Sequence, residues 1–556
     1  MDIKRSLVIA SAVAVTAIGL AGATPSGAVD VQILAVNDFH GNLMPPAGSS
    51  GRVGSIDAGG VEYLATHIAG LREQNPNTAV VSAGDMIGAS PLLSGLFHDE
   101  PTIEAFNLIG LDYNAVGNHE FDAGIAELIR IQGGGCHPSD GCLDGDDFTG
   151  AEFRFLAANV KWKKNGKPVF PAYKTKAFNG VQVAFIGMTL EGTPSIVSPS
   201  GISHLKFEDE ADTVNALVPE LKRRGVEAIV VVVHEGGVQA ASAPYYGCTG
   251  ISGPIVDIVN RMDDAVDVVI TGHTHQPYNC TIDGKLVTSA FSFGRLVTKI
   301  DLSIDRASRD VVAKVADNRI VTRDVHKDPR LTSLIGKYDA IAAPLTNRVI
   351  GGISADIIRA SNAAGESALG DVIADAQLHA TASAGFGDAV VAFTNPGGIR
   401  ADITFAGSAA GEGDGNVTYG EAFTVQPFDN SLVTITLTGA QIDTLLEQQF
   451  FGCGGQTAQR ILQVSAGFEF AWSASGAACD KVDPQSIRIN GVMVVPGASY
   501  QVTVNSFLAD GGDNFSVLTQ GTNRLDGAID VDALEAYLAA FSPVAPGPRN
   551  RITVLP

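Results

Sequence analysis

The sequence predicts an α/β protein of two units, on three observations. Short β-branched runs recur from residue 31 to about 304, each followed by a polar cluster and then a helical stretch or turn. A polar stretch from Arg319 to Arg330 and a helix-like segment from Leu331 to Leu345 then separate these runs from a second set. No repeat of fixed period runs through the chain, which argues against a solenoid.

In chain order, the runs of the first unit are Val31 to Val36, Thr78 to Val81, Tyr113 to Val116, Phe153 to Ala157, Val181 to Ile186, Ala228 to Val233 and Val266 to Ile270. They are short and mostly apolar, as strands covered on both faces should be. The second unit carries strands of its own, such as Asp388 to Phe393 and Ser431 to Leu437. The expected division is a leader at 1–28, a first domain at 29–330, a linker helix at 331–345 and a second domain at 346–556.

Composition bounds the function. Of 556 residues, 45% are hydrophobic and 17% charged, which excludes global disorder. Lys and Arg number 37 against 60 Asp and Glu, a net charge of -23 that repels a nucleic-acid backbone, so a nucleic-acid polymer is not the expected partner. Lys4 and Arg5 precede an apolar stretch from Leu7 to Ala23, and Ser26 and Ala28 satisfy a small-x-small cleavage rule. This predicts a signal peptide and an exported chain; Ala21-Gly22-Ala23 offers an earlier cleavage site, and an uncleaved anchor is the alternative. No other stretch is long and apolar enough to span a bilayer, so no stable membrane insertion is expected after cleavage. Six cysteines in an exported chain imply disulfides, and proximity pairs Cys136 with Cys142, Cys248 with Cys280, and Cys453 with Cys479. The sequence sets no oligomeric state.

The chemistry gathers where strands end, as open α/β sheets require. Asn37-Asp38-Phe39-His40-Gly41-Asn42, Gly84-Asp85, Gly117-Asn118-His119-Glu120-Phe121-Asp122, His234 and Gly272-His273-Thr274-His275 all follow apolar runs. Of 11 histidines, His40, His119, His234, His273 and His275 fall there. Imidazole, carboxylate and amide donors without thiolate suit Zn, Mn, Fe or Co. A phosphate ester repels nucleophiles, and two cations about 3.5–4 Å apart answer this by neutralising its oxygens and activating a water. Holding the pair takes a bridging carboxylate, for which Asp85 is the expectation. Asp38, His40 and His275 then serve one ion, and Asn118, His234 and His273 the other. His119 is left to donate a proton or hydrogen bond to the leaving oxygen, with Asp122 orienting its ring.

The ordered set of five motifs resembles the calcineurin-like metallophosphoesterase superfamily, and within it the exported 5'-nucleotidase and UDP-sugar hydrolase family. The resemblance implies an N-terminal four-layer αββα sandwich joined by a helix to a smaller α/β substrate-binding domain, with His119 and Asp122 as the catalytic pair. In the second domain, Asn395-Pro396-Gly397-Gly398-Ile399-Arg400 is similar to the family's nucleotide-contacting segment, which implies that Asn395 and Arg400 bind substrate. Phe428 and Phe507 match the two aromatics that stack on the base, Asp513 the ribose-binding carboxylate, and Arg359 the basic residue before the domain's first helix.

The implied reaction is hydrolysis of nucleoside 5'-monophosphates, extending to di- and triphosphates and UDP-sugars, with two divalent ions as cofactors. A 2',3'-cyclic nucleotide phosphodiesterase with 3'-nucleotidase activity is the neighbouring alternative. A non-catalytic nucleotide-binding protein is the alternative of another class. The loop from Gly133 to Asp147, with its cysteine pair, reads as an insertion.

Overall fold

The computed structural model describes residues 27–46, 48–407 and 411–555. The expected leader lies outside the described residues up to position 26; strand pairing begins at Ala28, opposite Asp305.

Two six-stranded sheets form the centre of the first unit. In the first sheet, Ala28–Val36, Thr78–Ser82, Tyr113–Ala115 and Arg154–Leu156 lie side by side in parallel. Leu296–Asp305 and Val311–Ile320 extend it antiparallel at one edge. In the second, Val181–Thr189, Ala228–His234, Val268–Thr271 and Lys285–Ala290 are parallel, with Tyr173–Phe178 and Pro277–Ile282 antiparallel at the edges.

The period-two alternation of a strand decides what each face meets. Val230 and Val232 join Val31, Ile33 and Val81 in the core between the sheets. Val231 and Val233 point the other way, onto the helices Glu210–Arg223 and Pro254–Arg261. Leu34 and Val80 likewise leave the first sheet to pack on Val61–Gln74 and Glu100–Ile109. Both faces of each sheet are therefore covered, giving the four αββα layers and explaining why these strands read as largely apolar runs without alternation.

Within these two sheets, five further strands escape the run pattern: Tyr173–Phe178, Pro277–Ile282, Lys285–Ala290, Leu296–Asp305 and Val311–Ile320. Lys285–Ala290 is wholly buried, but Lys285, Thr288 and Ser289 break its run; for Val311–Ile320 the reason is exposure. It is an edge strand with many exposed positions, so it carries Lys314, Asp317 and Arg319, and its end falls inside what reads as a polar linker.

The helix Pro329–Thr346 follows, capped by Asp328, whose side chain accepts the N–H of Arg330 at 2.9 Å. Tyr338 seats this helix edge-on against Phe97 at 4.7 Å, and Lys337 reaches Asp144 and Asp146. The second unit has a five-stranded sheet in the order Gln463–Val464, Val391–Thr394, Ser499–Asn505, Ser431–Thr438, Thr522–Ile529. The helix Gly439–Glu447 opens with a Thr438/Gln441 capping box and buries Ile442, Leu445 and Leu446 beside Val433 and Leu437. A second core brings Leu369 and Ile373 together with Leu534 and Phe423, and Leu92 from the first unit enters it. This apolar junction brings the strand ends of the first unit up to the second.

All three expected disulfides form, and no cysteine among the described residues is free. No helix among the described residues is long and apolar enough to cross a membrane.

Candidate metal centre and interdomain cleft

Parallel strands put their carboxyl ends on one side, and the two sheets deliver their loops to one place. Asp38, Asp85 and Asn118 come from the first sheet; His234, His273 and His275 come from the second. Asp38, His40, Asp85, His273 and His275 all sit at positive φ, the tight left-handed turns needed to aim side chains back over the sheet ends. Gly117 is required beside them, since a Cβ there would stand 2.2 Å from Asp85 Oδ1.

The donors form two groups. In one, His275 Nε2 lies 3.4 Å from Asp38 Oδ1 and 3.1 Å from His40 Nε2. In the other, Asn118 Oδ1 lies 3.1 Å from His234 Nε2 and 3.0 Å from His273 Nδ1. Asp85 stands between them, with Oδ2 at 3.0 Å from His234 Nε2 and 3.7 Å from His40 Nε2. Asp38, His40 and His275, and separately Asp85, His234 and His273, are spaced to hold a metal ion.

Two carbonyls fix which nitrogen faces inward. His40 Nδ1 is 2.9 Å from the Gly88 carbonyl and His234 Nδ1 is 2.7 Å from that of Ala83. Each Nδ1 must carry a proton to donate there, which leaves Nε2 as the nitrogen that faces the centre.

Charge follows from burial. Burial disfavours the His234 imidazolium, but the Asp85 carboxylate overrides it and pushes this group up to about 10. His273 is driven down to about 3, first by burial and then by the charge on His234. A nest of buried carboxylates and imidazoles that must otherwise hold a proton fits a divalent cation, which can replace that proton.

His119 lies at the edge of this centre. Its Nδ1 meets Asp122 Oδ2 at 2.7 Å, and its backbone N–H donates to Asp85 Oδ1 at 2.9 Å. Burial works against its imidazolium, yet Asp122 and Asp85 raise it above the ordinary histidine value. Phe428 from the second unit lies almost parallel to its ring, 5.7 Å away.

A cleft of ≈ 270 Å³ opens between the units, lined by Asn118, His119 and Asp122 on one side and by Arg400, Phe428 and Phe507 among others on the other. Asn395 and Asp513 line it too, joined by a 2.8 Å bond from Asn395 Nδ2 to Asp513 Oδ2. Arg359 is not part of that lining: it is exposed and its backbone N–H donates to Asp402, but its Nη1 lies 3.5 Å from the Ile399 carbonyl, and its charge acts on the neighbouring Arg400. A larger depression of ≈ 670 Å³ near His67 and His326 contains none of these groups.

Three contributors are not singled out by the sequence. Arg460 places Nε 3.2 Å from Asp513 Oδ1, Asn505 donates to Asn395 Oδ1 at 3.1 Å, and Glu120 accepts backbone N–H groups from both Asp85 and Gly117. Arg460 and Asn505 stand outside any dense polar motif, and only tertiary folding reveals them. Glu120 is visible within its motif but without a role.

The calcineurin-like phosphoesterase family matches residues 31–277, and the 5'-nucleotidase C-terminal domain matches residues 345–520. The chain is 32% identical over 537 residues to endonuclease YhcR of Bacillus subtilis, across 95% of this chain and 41% of that protein's length. It is 32% identical over 543 residues to a cell wall protein of Listeria monocytogenes, across 92% of this chain and 67% of the other. The solved 5'-nucleotidase precursor from Thermus thermophilus has a TM-score of 0.76 at 26% identity, covering 95% of this chain and 99% of that one.

Proposed function

Because the chain belongs to the calcineurin-like phosphoesterase family, in the form that carries a 5'-nucleotidase C-terminal domain, we propose that it is an exported, metal-dependent phosphohydrolase of nucleoside 5'-monophosphates. One observation carries this reading: two nitrogen- and oxygen-donor groups share Asp85 and face, across one cleft, the aromatic and carboxylate side chains of the second unit.

Asp38, His40, Asp85, Asn118, His234, His273 and His275 would hold the two cations, and the lack of thiolate suits Zn, Mn, Co or Fe. When bound, such a pair supplies Lewis acidity and a nucleophile from water near neutral pH. His119, oriented through Nδ1 by Asp122, turns Nε2 to the leaving oxygen and donates a hydrogen bond or proton to it. Arg400, whose Cζ is 5.7 Å from the Phe428 ring centre, brings a positive charge to the phosphate side of the cleft. Phe428 and Phe507 receive the base by stacking, worth about 1–3 kcal/mol per base. Asp513 accepts the ribose hydroxyls, and Asn395 holds Asp513 in place. The disulfides and the likeness to a cell wall protein support export.

Phosphodiester cleavage is the second reading, favoured by the likeness to a protein named an endonuclease. A panel of AMP, ADP, UDP-glucose, 2',3'-cyclic AMP and a single-stranded oligonucleotide, each assayed before and after chelation, separates the two. Preference for AMP, lost on chelation, supports the monoesterase. Preference for the cyclic or polymeric diester replaces it, and turnover of none of them leaves a nucleotide-binding protein.

A further inference from the structure

The inserted loop holds a cluster that the phosphohydrolase chemistry does not use. The Cys136–Cys142 bridge closes a short ring around His137 and Asp140, and Gly141 N–H donates to the His137 carbonyl at 2.9 Å. His98, at φ 53 in the turn between Leu92–Gly95 and Glu100–Ile109, lays its ring flat on that of His137, 3.7 Å between centres and 17° between planes. Asp140 Oδ2 lies 2.9 Å from His98 Nε2 and 3.3 Å from His137 Nδ1. Glu127, on the helix Gly124–Gly133, completes a set with the two histidines whose ligand atoms lie within 4.8 Å of one another.

Three arguments make this more than a surface polar cluster. Burial, with the charge of His137 next, holds His98 below its ordinary value and so favours its neutral, ligating form, and an ion shared with His137 would require one ring to turn out of the stack so that each lone pair points at it. Arg130 is engaged by Glu127 and by Glu100, at 2.6 Å and 2.5 Å. Asp140, Glu127 and Glu100 against Arg130 leave two negative charges, the complement of one divalent ion. Finally, nitrogen and oxygen donors at about 2.0–2.1 Å from a tetrahedral ion stand about 3.3 Å apart, close to the 2.9 Å and 3.3 Å found here.

We propose that His98, His137 and Asp140 form a further divalent-cation site, separate from the catalytic pair, that takes zinc or a similar nitrogen-preferring ion, with Glu127 beside it under the hold of Arg130. The site is structural. It fastens the inserted loop to the turn at His98, and the next residue, Asp99, accepts Gly88 N–H at 3.0 Å while Gly88 receives His40 Nδ1. The same loop reaches the linker helix through Asp144 and Lys337. A cation here ties together the insertion, the support of one catalytic ligand and the junction between the units. None of this depends on which phosphate ester is the substrate.

The test is metal content per chain, by elemental analysis of full-length protein equilibrated with zinc and desalted. His98→Gln/His137→Gln is expected to hold one equivalent fewer than the wild type while keeping its phosphatase activity at ambient temperature. Asp140→Asn, at a half-exposed position that does not threaten the fold, is expected to bind that equivalent at least tenfold more weakly. Cobalt substitution gives an independent readout, as one visible absorption component should vanish in the double variant. Equal metal content in wild type and both variants, with identical cobalt spectra, would overturn the proposal.

Discussion

Glu120 Oε2 accepts the backbone N–H of Asp85 at 2.9 Å, and the same oxygen accepts that of Gly117 at 2.6 Å. The other oxygen takes Met86 N–H at 2.9 Å and Asn114 Nδ2 at 3.1 Å. One buried carboxylate thus ties the turn bearing Asp85 to the turn bearing Asn118. Glu120→Gln keeps the volume but points an NH₂ at two N–H donors, each costing about 1–3 kcal/mol when left unsatisfied. A lower melting temperature and a 10- to 100-fold loss of metal affinity are expected, the usual range for a support behind metal ligands. Calorimetry and metal titration measure both, and an unchanged affinity would remove Glu120 from the support of the site.

On the proposed mechanism, His119 and Asp122 should set the alkaline limit of the reaction. Although burial opposes the imidazolium, Asp122 and Asp85 raise His119 above the ordinary histidine value, so the donating form persists to higher pH than a free histidine allows. Activity should fall as pH rises through that elevated value. Asp122→Asn removes one of the two supporting charges and should move this limb toward lower pH. His119→Ala should lower kcat by about 10²–10⁴-fold, the range for general acid–base catalysis, with metal content unchanged. A pH–rate profile for wild type and Asp122→Asn decides the matter, and superimposable limbs would exclude His119 as the titrating group.

The candidate metal ligands are legible because each follows a buried parallel strand, where apolar run and polar motif adjoin in sequence. Asp38, Asp85 and His234 sit at or just past the ends of strands covered on both faces. The edge strands are not legible, because half-exposed positions such as Lys314 and Asp317 break the run. The substrate side is readable from residues only through resemblance. Asn395 and Asp513 are 118 positions apart and become partners only in the folded domain. Arg359 precedes the helix Ala368–Thr381 as expected, and although it is exposed and outside the cleft lining, its charge reaches Arg400 within it.

Arg460 should control recognition of the ribose. Burial raises Asp513, and the Arg460 guanidinium 3.2 Å away works against that, keeping a carboxylate available to accept hydroxyl protons. Arg460→Met would leave Asp513 buried without its counter-charge, and losing a hydrogen bond to a charged group costs about 1.5–3 kcal/mol. KM for AMP should rise roughly tenfold or more, as 1.4 kcal/mol is a factor of ten. Turnover of p-nitrophenyl phosphate, which has no ribose, should change by less than about twofold. Steady-state kinetics on both substrates provide the check; equal losses on the two would show a general structural role instead.

Removing the cations should make stability depend on pH through His234. In chelated protein this group, disfavoured by burial but held charged by Asp85, is pushed up to about 10, against about 6.5 in the unfolded chain. A folded value raised above the unfolded one contributes stability that is fully present below about pH 6.5 and is lost as pH rises through about 10. A divalent ion competes with that same proton, so metal binding should tighten with rising pH over this window. The melting temperature gained on adding zinc or manganese to chelated protein should accordingly be larger at pH 8.5 than at pH 6.5, with activity returning in parallel. The His234→Ala variant, which has no such proton to displace, should lose most of that pH dependence. Thermal unfolding of both proteins at the two pH values, with and without metal, measures the effect. A gain independent of pH in the wild type would mean that His234 is not a ligand.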